Sequence, residues 1–342
     1  MKIFCGLLSA ACLWWLAATT DAQTNVVTDP VGFVTVTING TNTSPYTYLG
    51  LSLTQPVAYQ SKITAANGTQ LTDSSANWTN GQFSGTGNAY FIELTSGPGA
   101  GITDDVISNT STTLTTASDL SSMIIPGTTT YKLRKHWTIG SVFGTNNEIG
   151  LAGGSSASTA DNIILLDPET QVYYTYYYRT NSPAGWRRST DMFTDASNTI
   201  LYMDQGIWIK RKLGSSVSTK LVGAVKLGQT LIPISANQNI VANVYPVTNL
   251  TLATSNLYTG STTNGFAGGS TASTADTISI WNGISYDTYY YRTNSPAGWR
   301  RSTDMFTDVG NTVIPMGGSV RIRTIGGHSF NWTIPQPFNY PE

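Results

Sequence analysis

Runs of Val, Ile, Thr and Tyr, each broken within a few residues by Gly, Asn or Pro, fill most of the chain. Apolar residues at every second position imply strands packed on one face, and helical spacing is weak throughout. The expected fold class is all-β, with two tandem sandwich- or barrel-like domains or one sheet shared between them. One stretch can be read residue by residue. Thr175 to Arg179 is strongly β-forming, and alternation sends Tyr176 and Tyr178 to one face, Tyr177 and Arg179 to the other. Ser182, Pro183, Ala184 and Gly185 have the composition of a type I turn, after which Trp186, Arg187 and Arg188 return as a second strand. A β-hairpin follows, with Arg179 or Arg188 expected to stack on Trp186.

The same stretch occurs twice. Thr175 to Asp195 is identical, residue for residue, to Thr288 to Asp308, and Ala152 to Asp161 matches Ala267 to Asp276 with one change. Downstream, Ile207 and Ile209 match Val320 and Ile322; upstream, Val31-Gly32-Phe33-Val34 resembles Val222-Gly223-Ala224-Val225. Residues 29–64 plus 136–212 are therefore expected to form one repeat unit and 220–335 a second. Between them, 65–135 reads as a small β-module inserted into the first unit, with strands near Ala89 to Thr95, Ile102 to Ile107 and Thr112 to Thr116. Trp78, Phe91, Val106, Ile107 and Leu114 are its expected core.

Composition narrows the setting. Lys2, the apolar run Ile3 to Ala18, and Thr20-Asp21-Ala22 have the form of a signal peptide over 1–22. Both cysteines of the chain, Cys5 and Cys12, would leave with it, so the mature chain is expected to carry no disulfide, thiolate metal site or cysteine nucleophile. Eighteen Lys and Arg against 19 Asp and Glu give a net charge of −1 and no basic stripe, which argues against nucleic acid. No second apolar run has membrane-spanning length, so the mature chain is expected to lack a transmembrane segment.

Candidate chemistry is thin. His136 and His328 occupy non-equivalent positions and read as structural. Asp191 with Asp195, and Asp304 with Asp308, are carboxylate pairs, but neighbouring arginines would lower their pKa and disfavour a general acid. Asp104, Asp105, Asp161 and Asp276 sit in turn-like contexts without a recognised calcium loop. The glycines of 97–101 lack the Lys-Ser/Thr of a phosphate loop. No catalytic residue, metal ligand or cofactor is expected. The sharpest candidate ligand surface is the duplicated hairpin: Tyr177, Arg179, Trp186, Arg187 and Arg188, with Tyr290, Arg292, Trp299, Arg300 and Arg301. Flat aromatic faces beside fixed donors suit sugars or a protein partner, and two copies would add avidity.

The elements Gly223-Ala224-Val225-Lys226-Leu227-Gly228, Asn239 to Pro246, Tyr-Tyr-Tyr-Arg and Gly-Trp-Arg resemble those of an uncharacterised family of exported, paralogous bacterial proteins. Ser96 to Thr115 is similar to a small β-module of bacterial and phage surface proteins. The resemblance implies export to the periplasm, cell surface or medium and carries over no catalytic residue. The expected role is adhesion, matrix or envelope structure without catalysis. Polysaccharide or other cell-surface components are the expected partners; carbohydrate binding by the hairpins is the alternative, and a polysaccharide hydrolase or an outer-membrane barrel the weaker ones.

Overall fold

A computed structural model describes residues 29–339, apart from 43 and 213; the signal-peptide segment, with both cysteines, lies outside the described residues. The chain is all-β, built from antiparallel sheets, and the one α-helix among the described residues is a single turn at Ile139–Phe143. Thr138 and Ser141 close that turn with a reciprocal capping box. None of the sheets closes on itself, so the barrel alternatives drop out.

Two five-stranded sheets share one plan. The first runs Gly185–Arg188, Val172–Arg179, Asn162–Asp167, Ile207–Lys210, Tyr46–Leu49. The second runs Gly298–Arg301, Tyr286–Arg292, Thr277–Trp281, Ser319–Arg323, Gln238–Ala242. Their registers correspond: Ile163 faces Tyr176 and Ile209, as Ile278 faces Tyr289 and Ile322. Each sheet packs its inner face on a two-stranded ribbon, Val31–Ile38 with Val217–Ala224 in the first and Thr230–Ile234 with Phe330–Ile334 in the second. Alternation puts Ile207 and Ile209 into one core and Val320 and Ile322 into the other, which is the burial that holds each two-layer unit together.

These ribbons move the expected boundaries. Val222-Gly223 does not open the second unit as Val31-Gly32 opens the first; the two segments pair with each other, Gly32 opposite Gly223. Val217–Ala224 takes the place in the first unit that Phe330–Ile334 takes in the second. The insertion is likewise larger than expected. Its seven-stranded sheet begins with Val57–Lys62 and ends with Thr130–Lys135. Trp78, Val106 and Leu114 fill its core. Ile107 does not, because a bulge between Val106 and Ser108 turns it outward. Phe91 points instead into the core of the second unit.

The two five-stranded sheets meet through reciprocal contacts. Leu49 bridges to Gly318, and its register equivalent Val241 bridges to Gln205, the equivalent of Gly318. Gly50 N–H donates to Gly317 O at 2.9 Å, and Ala242 N–H to Asp204 O at 2.8 Å. Contact of i with j and of j with i is the signature of an approximate twofold axis. A buried ion cluster ties the insertion to this frame. Glu93 is paired with Lys226 at 2.8 Å and Arg134 at 3.2 Å; Arg134 also pairs with Asp29, which holds Lys132 at 2.6 Å. Burial opposes ionisation of both acids, yet these cations outweigh it and hold both carboxyls below their ordinary range.

Candidate functional site

The duplicated hairpins form as predicted, but most of their predicted ligand residues are core. Tyr177 lies opposite Arg187 and Tyr178 opposite Trp186; Tyr290 and Arg300, Tyr291 and Trp299 repeat the pairs. Trp186 and Tyr177 are 0 % exposed, and Trp299, Tyr290, Arg187 and Arg300 are buried as well. Trp186 packs in the first core and donates its indole N–H to Gly144 O at 2.7 Å. The arginines are internal staples. Arg187 donates to the carbonyls of Pro183, Ala184 and Trp186, and pairs with Asp195 at 3.4 Å. Arg300 does the same with Pro296, Ala297, Trp299 and, at 3.0 Å, Asp308. These fork donors satisfy a loop whose Ser182–Pro183 and Ser295–Pro296 peptides are cis, where a type I turn was predicted. Gly185, at φ 129°, lets the Arg187 guanidinium lie over the backbone; a Cβ there would meet it at 3.1 Å.

The remaining arginines are half-buried or exposed, and none reaches a tryptophan. Arg179 and Arg292 sit over Phe193 and Phe306 at 5.7 and 5.8 Å, because the tryptophans have turned into the cores. Arg188 lies over Tyr174 at 4.0 Å, whereas its equivalent Arg301 pairs with Asp287. Asp191 and Asp304 are exposed turn-builders, each accepting two backbone N–H bonds. Hydrogen bonds from Thr194 and Phe193 hold the Asp191 carboxyl low, and those from Phe306 and Thr307 hold Asp304 low, which suits neither to general-acid work.

A different aromatic surface crosses the joint between the two sheets. Tyr48 stands on the outer face of Tyr46–Leu49 opposite Trp208, whose neighbours Ile207 and Ile209 face inward. Its ring centroid lies 5.3 Å from Trp208, 4.9 Å from Trp281 and 5.1 Å from Tyr286. Tyr173 extends the strip, stacked on Trp208 at 5.5 Å and 41 % exposed. Arg321 caps Tyr286 at 4.6 Å and Lys210 caps Tyr46 at 5.6 Å. The Tyr286 hydroxyl donates to Tyr48; burial raises the pKa of both, and both stay protonated donors. The indole N–H groups of Trp208 and Trp281 have no acceptor among the described residues. Tyr173 and Tyr286 occupy equivalent positions, as do Trp208 and Arg321, and Tyr48 and Ile240. The strip is therefore one composite surface, not a repeated pair. Sequence reasoning missed it because its rings come from five distant strands; the outward position of Trp208 between two inward isoleucines was the readable signal.

The insertion and both units also enclose a cavity of about 780 Å³. Asp104, Asp105 and His136 line it from the insertion and the strand that leaves it; Tyr202 and Asp204 line it from the first unit. His136 Nε2 lies 2.9 Å from Asp105, and Tyr202 Oη donates to Asp105 at 3.0 Å. Burial opposes ionisation of Asp105, but His136 outweighs it and the carboxyl is held low. Burial pushes the Asp104 and Asp204 carboxyls up. Among the described residues no group of three or more His, Cys, Asp or Glu is arranged to hold a metal ion. Asp161 and Asp276, weighed for calcium, instead fix backbone: each accepts the N–H of Ala152 or Ala267 at 2.7 Å. Comparison with family models, with curated proteins and with solved structures finds no match.

Proposed function

We propose that this chain is an exported, non-catalytic surface protein that holds polysaccharide on the Tyr48–Trp208–Tyr286 strip. The observation that carries the reading is the strip itself: six aromatic rings fixed at 4.9–6.3 Å from one another across two sheets, with Tyr173 open to solvent. Sugar rings pack their C–H faces on such platforms, and rings already locked by neighbours lose little entropy on binding. Arg321, Lys210, Gln238 and the tyrosine hydroxyls along the strip supply the polar edge that hydroxyl groups require. Export, and an adhesive or envelope role, follow from the signal-like residues 1–22 and from the resemblance to exported bacterial proteins.

Affinity electrophoresis in gels containing soluble polysaccharides tests this. The intact protein is retarded by at least one polymer. Tyr173→Ala and Trp208→Ala abolish the retardation while melting cooperatively, and Trp186→Ala, whose ring is core, lowers stability instead. Binding unaltered in the folded Tyr173→Ala and Trp208→Ala variants rejects the strip as the site.

A further inference from the structure

The cavity between the insertion and the two units plays no part in the strip. Its volume, about 780 Å³, lies within the range of small-molecule sites. Its charge has one sign. Asp104, Asp105 and Asp204 line it, Asp167 and Glu169 join them, and no lysine or arginine does. Arg188 touches the cavity-lining ring of Tyr174 at 4.0 Å without itself lining the space. The one basic group in the wall is His136, 5 % exposed and already paired with Asp105. Asp204 makes no ion pair among the described residues, and its carboxyl accepts its own backbone N–H.

We infer that this cavity binds a compact organic ammonium ion, an amine carried on an apolar or hydroxylated body. One feature beyond the carboxyls points to a ligand that donates hydrogen bonds: Gln205, in the wall, has a buried Oε1 that receives no donor among the described residues. The rest of the wall mixes polar Asn198, Thr199 and Asn239 with apolar side chains, and Phe91, Tyr176 and Tyr202 offer ring faces to a cation. An ammonium group would supply the charge that Asp204 lacks, in a setting where an uncompensated carboxylate is costly. A bare divalent ion suits the site poorly, since among the described residues no group of three or more His, Cys, Asp or Glu is arranged to hold one.

Isothermal titration of the full chain with spermidine, glucosamine, N-acetylglucosamine and calcium chloride tests the inference. Spermidine and glucosamine bind, and the neutral acetylated sugar does not. Asp204→Asn weakens amine binding about tenfold or more, and Trp208→Ala, which disables the polysaccharide strip, leaves it unchanged. Asp104→Asn gives the same weakening should Asp204→Asn fail to fold. Equal binding of both sugars, binding of calcium alone, or full amine affinity in the folded carboxamide variants overturns the inference without touching the strip.

Discussion

The two repeat units hold the same aspartate in the same cage with different cations. Asp161 accepts the N–H groups of Ala152 and Lys212, and Asp276 those of Ala267 and Ile325. The third side is Arg211 Nε at 2.6 Å in the first unit and His328 Nε2 at 3.0 Å in the second. The backbone tie closes each sheet in the same way, so the cage belongs to the fold. The cation is the variable part. A guanidinium carries five donors and an imidazole at most two. The same plan thus yields one latch sealed in the interior and one partly open to solvent, the Arg211 side chain being 3 % exposed and that of His328 22 %.

The sharpest way to break the resemblance is at the frame joining the units. Lys226→Ala should cost about 3–5 kcal/mol, because it leaves buried Glu93 with Arg134 alone beside an unfilled space; urea unfolding reads this. Of comparable size, Trp186→Ala and Trp299→Ala should each cost about 3–5 kcal/mol. Trp186 should be the more damaging, since it also forfeits its bond to Gly144. Equal losses would mean that the Gly144 bond adds nothing, and negligible losses that the tryptophans are not core.

Smaller effects separate the latches. Asp161→Asn leaves a buried guanidinium facing an amide and should cost about 3 kcal/mol or more. Asp276→Asn faces a partly exposed imidazole and should cost about 1–3 kcal/mol. Matching losses in urea melts would erase the distinction. The pH profile sharpens it further. Glu93 and Asp29 have lowered values, so their contribution is present above about pH 4.5, where unfolded carboxyls are ionised, and fades as pH falls through the native values. Asp276 has the opposite sign: burial raises its value, so its contribution is full below the unfolded value and is lost as pH rises through the folded one. Stability measured from pH 2 to 6 should therefore lose its acid limb in Glu93→Gln and gain steepness in Asp276→Asn. Least of all, Phe193→Ser and Phe306→Ser, at rings 71 % and 73 % exposed, should each change stability by no more than about 0.5 kcal/mol.

Much of this was legible in the sequence wherever the causes are local. Alternation placed Tyr176 and Tyr178 on one face and Tyr177 on the other, and the repeat implied two copies of one hairpin. What alternation does not reveal is whether a face is wet. Arg187 is buried because the chain returns over it from Pro183 to Asp195, so both faces of that hairpin are covered. The ribbon partnership of Val31–Ile38 with Val217–Ala224 spans nearly two hundred residues, and similar short motifs disguised it as equivalence. Tyr48, Trp281 and Tyr286 escaped notice for the same reason, since their neighbourhood exists only after the two sheets dock.

The reciprocal joint has one more consequence. A homodimer built on such an axis must present the same residue on both sides, so any platform across it would be a palindrome. Writing both halves into a single polypeptide lifts that restriction: Tyr48 can stand where its counterpart is Ile240, and Trp208 where its counterpart is Arg321. An asymmetric recognition face, with a direction along which a polymer could be read, becomes available on a nearly symmetric scaffold.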